Sequence, residues 1–377
     1  MELKDRALLE VYEPQRRLEH TKDGTPSNVW RTEVKKSHEI VALRKYPGAF
    51  ESTNNAKIAF REILLQQEFG DHENFVRISD IFKAENDLDL FVVMEYVELD
   101  LYSIIKENKK KEENKENSIL KKEHKCYLAY QLLRALEFLH SSGNVHRHVT
   151  PTSILVSSDC HLKLSGFRFC RSEGFGNTMS DVMDQQQYLA PEILLFSPRI
   201  SCAIDMWAAG CVIAEMVLGK PLIPAKKSIR SQLSSVLQLT GMPSKEDIDA
   251  IGNPLALKFI KDSQTEKKTL KELYPEFEDS EKACNLVSSL LTFNPVNRLT
   301  ASKALEHPYF EQFVKPGDAP PPRCPPVSIA LDSPFTISDY KGSIFDDVMH
   351  RKKQREDARA SAILAAIKAK QAKSEQP

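Results

Sequence analysis

The hydrophobic pattern of this chain changes period once, and that change limits the folds open to it. From Val11 to Tyr96 the apolar residues come in short or alternating runs between polar turns. Asn28-Val29-Trp30-Arg31, Glu39-Ile40-Val41-Ala42-Leu43 and Leu90-Phe91-Val92-Val93-Met94 are the clearest. Side chains on a strand alternate between faces, so such runs read as strands. One helical stretch interrupts them, Ala56 to Phe69, with Ile58, Ile63 and Leu65 among its apolar positions. From Leu99 onward helical spacing dominates, over Tyr127–His140, Ala203–Leu218, Ser228–Leu239, Ala283–Leu291 and Ala301–Leu305. Strands first and helices after predict an α+β, two-lobed chain. Its 377 residues suffice for two such units and a tail.

Three segments stand apart. The mixed-charge run Lys106–Lys125 reads as a solvated loop or helix extension. Lys315–Pro334 holds seven of the chain's 21 prolines, which excludes a regular helix and predicts an extended strap. Helix-forming residues return over Asp346–Lys373. Within this tail, Arg351–Pro377 carries eight basic against three acidic side chains, a local charge of +5.

Over the whole chain 52 Lys and Arg face 53 Asp and Glu, a net charge of −1. Neutrality argues against a chain held to nucleic acid by bulk charge. The seven cysteines are scattered without metal-ligand spacing, as in a reduced intracellular protein. No apolar run reaches the roughly 18 residues of a membrane span, and the charged start MELKDRALLE does not read as a signal peptide. These features predict a cytoplasmic chain without membrane insertion.

Seven fragments occur in an order that resembles a protein kinase of the CMGC group, and more narrowly a mitogen-activated protein kinase. They are Val41-Ala42-Leu43-Arg44, Arg61-Glu62-Ile63, His146-Arg147-His148-Val149-Thr150-Pro151, Ala190-Pro191-Glu192, Asp205-Met206-Trp207, Asn297-Arg298-Leu299 and His307-Pro308-Tyr309-Phe310. Phe60-Arg61-Glu62-Ile63, Gln67-Glu68-Phe69-Gly70-Asp71-His72 and Ser338-Asp339-Tyr340-Lys341 look like the atypical, cilium-associated branch of the extracellular signal-regulated kinases. The resemblance covers residues 11–350. It implies an N-lobe over 1–97, a C-lobe over 98–314, a proline-rich extension packing along the kinase body over 315–345 and a basic helical tail over 346–377.

Phosphoryl transfer in this family rests on positioning and charge neutralisation, so its required groups can be checked one by one. Of the glycine-rich loop, Lys22 to Ser27 keeps only Gly24. Arg44 stands for the strand lysine that pairs with Glu62, and a planar fork does not replace a compact ammonium. Lys45 is adjacent but points to the opposite face of its strand. His148 replaces the catalytic aspartate, Thr150 the catalytic-loop lysine, and Ser153 the metal-binding asparagine. Gly166-Phe167-Arg168 stands where the family has Asp-Phe-Gly, so the main Mg²⁺ carboxylate is absent. At the family's T-x-Y switch the chain reads Ser180-Asp181-Val182, followed by Gln185-Gln186-Gln187-Tyr188-Leu189 where basic and aromatic residues are expected.

The retained motifs are structural. Glu192 and Arg298 resemble the family's buried ion pair, Asp205 its cap on the catalytic-loop backbone, and His146 and Phe167 two levels of its hydrophobic column. The next level is the polar Gln66. Arg147 remains to meet Asp181 or a phosphorylated Ser180. Val29, Ala42 and Leu155 would form the apolar walls of a degenerate nucleotide cleft, with Met94 as gatekeeper, Glu95–Val97 as hinge, and Arg168 beside Arg44 as its cations. The resemblance thus implies a pseudokinase rather than an enzyme: a scaffold, allosteric regulator or targeting module that binds ATP weakly or not at all and holds no Mg²⁺. Its expected partners are proteins, in ciliary, centriolar or microtubule-associated assemblies reached through the basic tail. The alternatives are a metal-independent nucleotide or anion sensor and a weak, atypical Ser/Thr kinase.

Overall fold

A computed structural model describes residues 5–18, 28–174, 183–261, 266–314, 322–324, 327 and 334–374, the side chains of 366–374 excepted. The chain divides into two compact units. One comprises Met1–Asp71, Val76–Tyr96 and Ile329–Pro377, the other His72–Phe75 and Val97–Ser328. The first is built on a sheet and the second on helices, the α+β organisation expected of a two-lobed kinase fold.

The first unit opens with a short helix, α1 (Arg6–Val11), and holds β1 (Tyr12–Arg17), β2 (Val29–Val34), β3 (Ile40–Tyr46), β4 (Ile78–Lys83) and β5 (Leu90–Glu95). These form one antiparallel sheet in the order β1-β2-β3-β5-β4. Strand alternation sorts β3 and β5 onto two faces. Val41 and Leu43 pack with Phe91 and Val93 against Leu8 and Tyr12. Ala42 and Arg44, in register with Met94 and Val92, take the other face. Lys45, one residue on, turns back to Asp89 at 2.6 Å, as alternation predicts.

Helix α2 (Thr53–Phe69) starts at Ser52, whose hydroxyl accepts from the Asn55 amide at 3.2 Å. From Ala59 to Gln67 every residue is buried, the charged Arg61 and Glu62 included. A helix shielded on one face only would alternate. The second cover is the terminal helix Ile337–Ser374, which packs on α2 and β4. Thr336 and Asp339 begin it with reciprocal side chain to backbone hydrogen bonds, 3.2 and 2.9 Å. Tyr340, Ile344 and Val348 then present one buried stripe at helical spacing. This helix starts well before the expected Asp346, so the boundary drawn between 345 and 346 falls inside one element.

The second unit contains β6 (Leu99–Asp100), α3 (Leu101–Glu113), α4 (Lys122–Ser141), β7 (Asn144–Val145), β8 (Ile154–Val156), β9 (Leu162–Leu164), β10 (Arg171–Ser172), α5 (Pro191–Leu194), α6 (Ala203–Leu218) and α7 (Ile229–Thr240), followed by shorter helices as far as Leu305. Helix α6 is its axis, with nearly every residue buried. It approaches helix Glu281–Leu290 so closely at Gly210 that an added Cβ would lie 3.0 Å from the Leu290 Cβ. The mixed-charge run is half helix: α3 carries it to Glu113, and the buried Asn108 accepts from the Leu120 amide and the Ser118 hydroxyl, both at 2.8 Å. Of the proline-rich strap the described part is small, and there the Cys324 amide donates to the Ser141 hydroxyl at 2.8 Å.

Candidate functional site

In the second unit the catalytic-loop residues converge. Asp205, buried near the start of α6, accepts from the His146 and Arg147 amides at 2.7 and 2.8 Å. Its other partner is His140 Nε2, at 2.9 Å. This carboxylate fixes a strained turn, since Arg147 has a φ of 66°, in the left-handed region that non-glycine residues seldom adopt. Burial works against the Asp205 carboxylate, yet the hydrogen bonds from the His140 side chain and the His146 amide hold it below the ordinary carboxylate range. Sequence motifs predicted Asp205 as the cap; nothing in them singled out His140.

His146 is fully buried. Its Nε2 donates to the Ser165 carbonyl at 3.1 Å and its Nδ1 accepts from the His148 amide at 3.3 Å. Its ring meets Phe167 edge-on at 5.3 Å, and Phe167 meets Phe75 at 5.6 Å. Burial lowers its pKa from 6.5 to about 4, with the Asp205 charge opposing. Between those values the unfolded chain binds a proton that the fold refuses, so stability falls as pH drops through this window. Denaturant titrations are expected to give about 2 kcal/mol less stability at pH 5 than at pH 7 from this group alone. A pH difference no larger in the unaltered chain than in His146→Phe would mean that the buried ring carries charge, since burial lowers His72 as well.

Ser153 accepts from the Thr150 amide at 3.0 Å, and its hydroxyl lies 2.8 Å from the His148 carbonyl and 3.0 Å from that of Thr150. Thr150 itself shares a hydroxyl hydrogen bond with Thr152 at 3.0 Å. Gly166 adopts φ 86°, ψ 52°, and a Cβ there would sit 3.7 Å from Ser153 Cβ and 3.8 Å from His148 Nδ1. A carboxylate at 166 would therefore reach the loop, but glycine offers none. Arg168 lies exposed, its guanidinium 5.8 Å from the centre of the Phe169 ring. With Ser153 engaged by backbone and Gly166 bare, these two positions do not fit a Mg²⁺ ion. Among the described residues no group of three His, Cys, Asp or Glu side chains could hold one.

His148 stacks on Phe169 with ring centres 5.2 Å apart. On its Nε2 lies the Gln185 amide nitrogen, within hydrogen-bond distance. Gln185 belongs to the short turn Met183–Tyr188 and kinks it, at φ −130°, ψ 46°. The turn is pinned beyond Gln185: Gln232 Nε2 donates to the Gln186 carbonyl at 2.9 Å, and the Tyr188 hydroxyl to Glu215 at 2.7 Å. Sequence reasoning saw Gln185 only as a lost basic residue and missed its contact with the loop. Beside this turn Val149, Leu189, Ala190 and Ile193 line one side of a small recess, and Arg147, His148 and Asp205 another.

Glu192 and Arg298 form the expected pair, Nη1 to Oε1 at 2.7 Å and Nη2 to Oε2 at 3.0 Å. In this unit Val97 is buried and Leu155 half-buried.

The first unit carries its share separately. Arg44 donates to both oxygens of the buried Glu62 carboxylate, at 2.8 and 3.5 Å, and stacks 4.4 Å from the Tyr46 ring centre. The fork thus keeps the pairing that the sequence predicts. Gln66 donates to the Val76 carbonyl and to Met94 Sδ, both at 3.2 Å, which satisfies a polar residue at a level expected to be apolar. Ala42 and Met94 are buried, Val29 is half-buried, and Glu95 accepts from the Arg77 amide at 2.7 Å. Gly24, Ser180 and Asp181 lie outside the described residues.

Comparison with known proteins decides the family. The protein kinase domain family matches residues 18–310. The chain is 34% identical over 359 residues to "Extracellular signal-regulated kinase 2" of Dictyostelium discoideum, covering 93% of each. The chain belongs to the protein kinases, and among them to the mitogen-activated family. "Mitogen-activated protein kinase 15" of Xenopus laevis is 36% identical over 337 residues, 87% of this chain but 56% of that relative's length. Its Caenorhabditis elegans namesake is 34% identical over 369 residues, 92% of this chain and 75% of the relative.

These relatives correct two expectations. They are named as enzymes, protein kinases, whose reaction uses ATP and Mg²⁺, and this overturns the inference of a non-enzyme without cofactors. That inference reasoned from single positions, whereas family membership rests on the whole domain. No helix among the described residues is long and apolar enough to cross a membrane.

Proposed function

We propose that this chain works in signalling as an atypical Ser/Thr kinase of the mitogen-activated family, and as a binding module for the proteins it meets. The observation that carries the reading is His148, an imidazole in the catalytic loop with Nε2 directed at the activation segment. An imidazole can accept the proton of an acceptor hydroxyl near neutral pH. Thr150, Ser153 and Gly166 supply no charge toward the phosphates, so turnover is slow. A different observation favours a second role: the framework of Asp205, Glu192 and Arg298 suits a scaffold or allosteric regulator, with partners in signalling or ciliary assembly.

The test is label transfer from γ-labelled ATP to a panel of proteins, with divalent ion and with chelator. His148→Ala is expected to lower transfer by roughly 10²-fold or more, the usual share of a general base. Equal transfer by His148→Ala and the unaltered chain would remove His148 from the reaction.

A further inference from the structure

We infer that Gln185 is a latch on His148: its side-chain amide occupies Nε2 and must swing away before any hydroxyl can use that nitrogen. This deepens the reading of His148 as proton acceptor, and rests on the contact rather than on activity.

The argument starts from what Nε2 can do. A neutral imidazole has one ring nitrogen with a lone pair, and only that nitrogen accepts a proton. The Gln185 Nε2 atom lies at hydrogen-bond distance from His148 Nε2, and an amide nitrogen is only a donor. Its hydrogen therefore takes the lone pair that an acceptor hydroxyl would need. Turning the amide over changes the sign and keeps the block. Gln185 Oε1 is buried without a hydrogen-bond partner, and after such a turn it would accept from an imidazolium Nε2. Gln185 can thus hold His148 in either protonation state.

The surroundings make the contact a built one. Phe169 closes one face of the imidazole ring. The turn that bears Gln185 is held at Gln186 by Gln232, itself buried and fixed through the Lys226 amide at 3.0 Å, and at Tyr188 by Glu215. With the backbone pinned on the C-terminal side, release takes a rotation of the Gln185 side chain. A glutamine has the rotamer freedom to make that movement without unfolding the turn. The latch therefore acts by positioning: it touches neither phosphate nor substrate, and works through His148.

The test reads His148 directly, by residue-resolved carbethoxylation with diethyl pyrocarbonate, which attacks an imidazole nitrogen with a free lone pair. His38, whose side chain is 79% exposed, serves as the internal reference. Gln185→Ala is expected to raise the His148 rate, relative to His38, by about fivefold, the population effect of one net hydrogen bond. Gln185→Glu keeps the reach but holds an imidazolium by charge, and is expected to lower the rate below that of the unaltered chain at neutral pH. Opposite signs in the two variants are what a merely structural glutamine would not give. Equal rates in Gln185→Ala and the unaltered chain overturn the latch, and a rise in Gln185→Glu does the same if Gln185→Ala fails to fold. A raised rate without any gain in label transfer leaves the latch standing and overturns the catalytic reading of His148 instead.

Discussion

Arg298→Ala is expected to cost the second unit about 3–5 kcal/mol, the usual result of leaving one partner of a buried ion pair unpaired. All five guanidinium hydrogens are engaged. Besides the two bonds to Glu192, Nη1 donates to the Ala203 carbonyl at 2.6 Å, Nε to Thr292 at 2.9 Å and Nη2 to Phe293 at 3.2 Å. The group also lies over Trp207, 5.2 Å from its ring centre. Truncation strands the Glu192 carboxylate at 2% exposure and frees three carbonyls that turn the chain around α6. For a unit of this size about 3–5 kcal/mol lowers the midpoint of thermal unfolding by roughly 10 °C. The double variant Glu192→Leu, Arg298→Met removes both charges and is expected to recover part of the loss, because buried pairs replaced by apolar residues often come out near neutral. Circular dichroism melts of the single and double variants measure both effects. An Arg298→Ala midpoint within about 2 °C of the unaltered chain would mean that water reaches Glu192 and that the pair is not the clamp its geometry describes.

How much of this was legible in the sequence depends on how far along the chain each contact reaches. Local patterns read well. The alternation that puts Arg44 and Lys45 on opposite faces needs only strand geometry, and their partners Glu62 and Asp89 confirm it. The fragments holding Glu192, Asp205 and Arg298 placed the pair and the cap through their resemblance to kinase motifs. Contacts between distant residues without a distinctive type stayed hidden. Gln185 lies 37 residues from His148, and an amide announces nothing of its partner. The mixed-charge run read as a solvated loop or helix extension, and the buried Asn108 that caps its turn from inside gave no sign of itself. Activity was misjudged for a different reason. Gly166 and Ser153 are informative about metal ligands, but the relatives place the domain among enzymes, and a position-by-position account weighs only what each site lost.

Removing the terminal helix is expected to loosen α2 more than any single change in the first unit. Phe60 of α2 packs on Tyr340 at 5.1 Å and on Phe335 at 6.1 Å, and Tyr340, Ile344 and Val348 are almost fully buried. Arg351 pairs with Glu68 and Asp347, Lys352 with Asp80 at 2.6 Å, and Lys341 with Asp87. The apolar stripe dominates, since large aromatic to alanine changes in cores cost about 3–5 kcal/mol each, while ion pairs that keep contact with solvent, as these do, contribute about 1 kcal/mol or less. One feature opposes it. Gln67 is 1% exposed with neither amide atom hydrogen-bonded, so uncovering α2 would return about 1–3 kcal/mol by hydrating it. The stripe outweighs that relief. Because α2 also holds Glu62 against Arg44, the pair should weaken with it. Hydrogen exchange is the measurement: a chain ending at residue 336, or Tyr340→Ala in the full chain, is expected to lose protection over α2 while α4 and α6 keep theirs. A chain ending at residue 356 is the control, since residues 356–365 are exposed throughout. It should exchange like the full chain, and loss of α2 protection in that control would move the anchoring contacts beyond Arg355.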